Sequence, residues 1–94
     1  MPIRRVELSR RAQKELKKVP RYIAEKLQEW VHAVGQQTLE EVRKLPGYHD
    51  EGLKGQRAGQ RSIRLSRGYR AIYIIKKDSS IEFVSVEEVN LHDY

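Results

Sequence analysis

The sequence predicts an α+β fold: an N-terminal strand, two or three helices, and a C-terminal antiparallel three-stranded meander whose sheet carries the helices on one face. Three observations point there. Ile23, Leu27, Trp30, Val31 and Val34 recur at helical spacing. Three stretches rich in β-branched and aromatic residues follow one another between Arg61 and Val89, separated by turn residues. The 94 residues, 38% hydrophobic and 34% charged, suffice for one core and one domain spanning 1–94, and no internal repeat divides them.

Taken in order, Ile3, Val6 and Leu8 among charged neighbours predict a short first strand. Ser9 is a good N-cap, and Arg10 to Lys18 reads as a helix with Ala12, Leu16 and Val19 inward. Pro20 suits the first turn of the second helix, because its missing N–H costs little there. Gly35 is the expected stop of that helix. Thr38-Leu39-Glu40-Glu41 has capping-box spacing and predicts a short third helix ending before Pro46. The segment from Gly47 to Gly59 holds four glycines and few apolar residues, and reads as a loop pinned by Tyr48 and Leu53. The expected strands are Arg61–Leu65, Tyr69–Ile75 and Ile81–Val89, with Lys77-Asp78-Ser79-Ser80 turning between the last two.

Ser66-Arg67-Gly68 can close the first hairpin in two registers. A two-residue turn pairs Leu65 with Arg70 and so places Arg70 beside Ile63 and Leu65. A three-residue loop with Gly68 left-handed pairs Leu65 with Tyr69 and Arg64 with Arg70. Only the second gathers Ile63, Leu65, Tyr69, Ala71, Tyr73 and Ile75 on one face and leaves Ser62, Arg64 and Arg70 together on the other. That register is the expectation, with both arginines pointing away from the helices.

The net charge is +6, and it is concentrated. Residues 43 to 77 contain ten Lys or Arg and two acids, a net of +8, so the remainder is slightly acidic. Such a patch is the electrostatic footprint of a nucleic-acid binder, although basic domains also carry solvated charged faces with no ligand. Cys is absent, which excludes disulfides and thiolate metal sites. No apolar run nears the ~20 residues that span a bilayer, and the N-terminus has no signal-peptide core, so no membrane and a cytoplasmic location are expected. No His or carboxylate cluster has metal-ligand spacing, so neither metal nor cofactor is expected.

Two guanidiniums on one sheet face make a phosphate site, because Arg stays charged and forks onto two oxygens. Lys54, Arg57, Arg61 and Arg67 are the candidates for flanking nucleic-acid contacts. The chain ends His92-Asp93-Tyr94. RNA cleavage without a metal needs a base for the 2′-hydroxyl, a cation over the developing phosphorane, an acid for the leaving oxygen and an orienting platform. Arg64, Arg70, His92 and Tyr94 cover these roles on condition that the tail folds back over the sheet; otherwise it is a frayed terminus. His32 and His49 are expected to take no catalytic part, and Trp30 and Tyr73 to be core. Tyr48 and Tyr69 stay open, and Glu87 and Glu88 are either a base or ordinary acids at a strand end.

At Leu53-Lys54-Gly55, Arg61-Ser62-Ile63-Arg64-Leu65 and Gly68-Tyr69-Arg70-Ala71-Ile72-Tyr73 the chain resembles the RelE/ParE toxin superfamily, and the order of elements resembles it along nearly the whole length. The resemblance implies a RelE-like fold and a toxin of a type II toxin–antitoxin system. It implies that Arg70 stabilises the phosphate in the transition state, that Arg64 supports it, and that Tyr94 or His92 is the base or a base-stacking group. Ser62 departs from the Lys often found at its position, which shifts charge toward Arg61 or Arg57. The partners implied are a cognate antitoxin and the ribosome with mRNA in its A site. Three readings follow: a ribosome-dependent mRNA endonuclease first, a ParE-like inhibitor of DNA gyrase without nuclease chemistry second, and a plain nucleic-acid-binding domain third.

Overall fold

The computed structural model describes residues 2–91. Strand β1 (Val6–Leu8) leads into α1 (Arg10–Leu16), α2 (Arg21–Gln37) and α3 (Leu39–Val42). Then come β2 (Glu51–Gly52), β3 (Arg61–Arg64), β4 (Tyr69–Asp78) and β5 (Ile81–Leu91), with single 3₁₀ turns at Pro46–Tyr48 and Gly55–Arg57. The sheet has five strands in the order β1-β5-β4-β3-β2. The meander is antiparallel as predicted, and β1 adds to β5 in parallel, Val6 opposite Val84 and Leu8 opposite Val86. No helix is long and apolar enough to cross a membrane among the described residues.

The helices pack where their spacing directs. Ile23, Leu27, Trp30 and Val34 of α2 are buried against Ile63, Ala71, Tyr73, Val84 and Val86 of the sheet, in one core that also takes in Ala12, Leu39 and Val42. The Trp30 and Tyr73 rings lie 5.3 Å apart at 41°, joining α2 to the middle of β4. Ser9 does three things at the start of α1. Its Oγ accepts from Ala12 N at 3.0 Å and donates to Glu87 O at 2.9 Å, while its N–H bonds Val86 O. The α1 side chain Glu15 then accepts from Val89 N at 2.8 Å, covering a β5 edge group that β1 no longer reaches.

Four expectations are corrected. Helix α2 passes through Gly35 and ends at Gln37, where Thr38 takes φ 90° and its Oγ1 accepts from Glu41 N to start α3. Arg4 compensates by donating to the carbonyls of Gly35 and Gln36 at 3.1 and 2.9 Å. The turn after β4 is Ser79-Ser80 alone, because Asp78 still pairs with Ile81 and Ser79 supplies the left-handed residue at φ 57°. Part of the expected 47–59 loop is strand: Glu51 and Gly52 pair with Ser62 and Arg61. Gly68 is not left-handed. Its loop is closed instead by the Ser66 hydroxyl, which accepts from Gly68 N and Tyr69 N at 3.3 and 3.2 Å.

The register itself is the expected one. Arg64 lies opposite Arg70, and Leu65 N bonds Tyr69 O at 2.9 Å. Ile63, Leu65, Ala71 and Tyr73 are buried on the helix face, with Tyr69 packed at its margin. Ile75 continues the row but is 39% exposed, because residues 75–82 form a hairpin end that is exposed throughout. Trp30→Ala should lower the unfolding free energy by about 3–5 kcal/mol, read from urea denaturation with the slope unchanged; a loss under ~1 kcal/mol would mean that the Trp30–Tyr73 contact does not hold α2 to the sheet.

Candidate functional site

The open face of the sheet is defined by strand alternation. Ser62 and Arg64 on β3 share it with Arg70 and Ile72 on β4, since directly opposed residues point the same way. Strand β5 would carry Glu88 toward the core if it alternated without interruption. It does not: Ile72 pairs with Glu88 and Tyr73 with Val86, leaving Glu87 as the extra residue of a bulge. Val89 therefore joins the core, and Glu88 and Asn90 turn to the open face.

A cleft of about 60 Å³ lies on this face, lined by His49, Glu51, Ser62, Arg64, Ser66, Tyr69 and Arg70. Arg64 Nη1 stands 3.5 Å from His49 Nε2, a hydrogen bond in the tautomer with its proton on Nδ1. Arg70 is half-buried and donates from Nε to Asn90 Oδ1 at 3.4 Å. Asn90 Nδ2 in turn donates to Glu88 Oε1 at 3.0 Å. Arg57 forks onto the two Glu88 oxygens at 3.0 and 3.4 Å, and Arg11 of α1 approaches Glu88 at 3.5 Å. Burial alone would raise the Glu88 pKa. The hydrogen bond from Arg57 and the charges of Arg11 and Arg57 outweigh it and hold the carboxyl below its ordinary value.

Beside the cleft, on the opposite side of β2 and β3, Asp50 is 1% exposed at its side chain. Arg61 Nε donates to its Oδ1 and Tyr73 Oη to its Oδ2, both at 2.7 Å. Burial pushes the Tyr73 phenol far above its usual range, and the bond to Asp50 pushes it further. Burial disfavours the Arg61 charge, yet the Asp50 hydrogen bond and charge raise its pKa.

Arg64 and Arg70 are thus brought together. Arg57 and Arg61, expected at flanking phosphates, are bound to Glu88 and Asp50, while Lys54 and Arg67 are exposed on the surface. His92 and Tyr94 lie outside the described residues. The cleft also contains His49, which was expected to take no catalytic part, and Glu51, which sequence reasoning passed over. The available signal was weak: Pro46-Gly47 ahead of a His-Asp-Glu run, in a segment with little periodicity. Among the described residues no group of three His, Asp or Glu side chains is placed to hold a metal ion.

Arg64 and Arg70 thus make a basic cleft on the open face of a small α+β sheet, with His49 and Glu51 also in its lining. Residues 6–88 match the model of the ParE toxin of type II toxin–antitoxin systems, and the chain belongs to that family. No curated protein matches the sequence. The fold is shared with solved toxins. The YoeB/ParE toxin from Agrobacterium tumefaciens is 16% identical over 95% of this chain and 99% of that one, with a TM-score of 0.69. YafQ from E. coli is 18% identical over 93% and 91%, with a TM-score of 0.72. The toxin–antitoxin complex RelBE2 from Mycobacterium tuberculosis is 22% identical over 98% and 100%, with a TM-score of 0.68.

The lowered Glu88 pKa has a consequence for acid stability. A carboxyl depressed in the folded state stabilises above its unfolded pKa, and that contribution is lost as pH falls through the folded value. Melting temperature should therefore drop as pH goes from about 5 to about 3. Glu88→Gln should lower it at pH 7 and flatten the acid decline. Some decline should persist, because Glu40 is also depressed: burial opposes this, but hydrogen bonds from its own N–H and that of Ile3 prevail. Parallel curves for the two proteins would exclude Glu88 as a source.

Proposed function

We propose that this toxin is an endoribonuclease acting on ribosome-bound mRNA without a metal. The observation that carries the reading is the His49–Arg64 contact at 3.5 Å in the cleft that also contains Arg70 and Glu51. A surface that only bound phosphate would use the two arginines and would be weakened by a carboxylate in the same cleft. A cleaving site needs cations over the phosphate and a proton acceptor within reach of the 2′-hydroxyl.

In the proposed reaction the guanidinium of Arg70, oriented by Asn90, carries the charge that develops on the non-bridging oxygens, and Arg64 supports it. His49 and Glu51 are the cleft groups able to take the 2′-hydroxyl proton. The O2′–P bond forms, the P–O5′ bond breaks, and a proton passes to the departing 5′ oxygen, leaving a 2′,3′-cyclic phosphate and a 5′-hydroxyl. His92 and Tyr94 are proposed as the donor and as a surface for base stacking. Lys54 and Arg67 are proposed to touch flanking phosphates. Arg57 and Arg61, already paired, add to the field more than to direct contact.

The partners proposed are the ribosome with mRNA in its A site and, in the cytoplasm, a cognate antitoxin; the M. tuberculosis neighbour is a toxin–antitoxin complex. The family model is named for ParE, and this favours as second reading the inhibition of DNA gyrase by binding alone.

Mapping mRNA 5′ ends after brief expression separates the two. New codon-phased ends should appear with the wild type and fall about 10²–10³-fold with Arg70→Ala. His49→Gln and Glu51→Gln, compared in single turnover, should identify the base as the larger loss. Growth arrest with DNA damage and no new ends would install the gyrase reading.

A further inference from the structure

We propose that Asp50 is a positioning residue for the cleft, whose buried carboxylate, held by Arg61 and Tyr73, sets the backbone that presents His49 and Glu51 to Arg64 and Arg70. This rests on the nuclease reading for its catalytic consequence, but the geometry stands on its own.

Three consecutive residues divide between the two faces of the sheet. Glu51 pairs with Ser62 and lines the cleft, as His49 does. Asp50, between them, turns to the side where Arg61 and Tyr73 stand opposite each other across β3 and β4. A carboxylate at 1% exposure is costly unless both oxygens are satisfied, and here each has a separate donor on a separate strand. Tyr73 is itself fixed against Trp30, so the anchor reaches the core. The position of Asp50 is thus determined by three elements at once, with little freedom to shift.

His49 shows what that anchoring supports. It adopts φ 47° and ψ 46°, a left-handed conformation uncommon outside glycine, and its N–H bonds Pro46 O at 3.2 Å. Strained conformations persist where the surroundings over-determine them. On one side the 3₁₀ turn at Pro46–Tyr48 holds His49, and on the other Asp50 does. Release of Asp50 frees the peptide that aims the His49 ring, and a relaxed His49 leaves Arg64. For stability alone an apolar residue would serve in place of a buried ion pair. The charged anchor supplies a fixed direction for its two neighbours.

The test uses Tyr73→Phe, which keeps the ring against Trp30 and removes only the hydroxyl, beside Asp50→Asn. Two quantities are read in each. The first is single-turnover cleavage of ribosome-bound message: about a hundredfold slower for Asp50→Asn and about tenfold for Tyr73→Phe, with half-saturating ribosome concentration unchanged. The second is independent of cleavage. In the wild type, Arg64→Gln should shift the His49 ring resonance in NMR spectra; in both variants that response should vanish, because the ring has left Arg64. Retention of the response in a folded Tyr73→Phe protein overturns the proposal whatever the rate, and so does unchanged cleavage in a variant that has lost it. A wild type that cuts no message, with the response lost in the variants, overturns the nuclease reading and supports the positioning role.

Discussion

Glu87 stands without an opposite partner between β4 and β5, and this one extra residue sets the two faces of the sheet. Without it Glu88 would point into the core and Val89 out of it. With it, Val84, Val86 and Val89 all reach the core, while Glu88 and Asn90 share the open face with Ile72 and Arg70. The bulge is secured from outside the sheet, since Ser9 bonds the Glu87 carbonyl and Glu15 the Val89 N–H. Glu88 then collects Arg57 and Arg11, and Asn90 orients Arg70. The arrangement of the basic face thus follows from a local break in alternation, made where α1 docks against β5.

That face carries an electrostatic cost. Arg64 and Arg70 are directly opposed on adjacent strands, and like charges so placed are destabilising. Their neighbours offset it in part: His49 lies against Arg64, and the Asn90 side-chain Oδ1 accepts from Arg70 Nε. An anion between the two guanidiniums would relieve the repulsion further, which is why such a pair is suited to phosphate. On the other side of the same strands, Arg61 and Tyr73 are also opposed, and there a protein carboxylate, Asp50, fills the corresponding role. The two faces show one chemistry, satisfied internally on the buried side and open on the other.

Much of the frame was legible. Side-chain parity chose the β3–β4 register, because only one pairing kept Arg70 off the apolar row, and the structure has that pairing. The means of closing the turn was not legible, since a serine hydroxyl replaced the left-handed glycine. The bulge did have a signal. Val84, Val86 and Val89 cannot share one face of an uninterrupted strand, and that phase break marks it. The stop at Gly35 failed because a helix end depends on where its carbonyls find donors, and Arg4 supplies one from a distant segment.

Sequence alone determined the helix spacing, the strand periodicity, the hairpin register and the concentration of positive charge, since each depends on neighbours a few residues apart or on a sum over them. Tertiary structure decided what stands around the arginines. His49 and Glu51 belong to a segment with little periodicity, and their places follow from Asp50, whose partners lie on β3 and β4. A buried carboxylate must find donors wherever the fold puts them, so no local pattern announces which ones it will take. The same reason separates Arg57 and Arg61 from Arg64 and Arg70: all four are equally basic in sequence, but only the folded chain determines which charges are already matched.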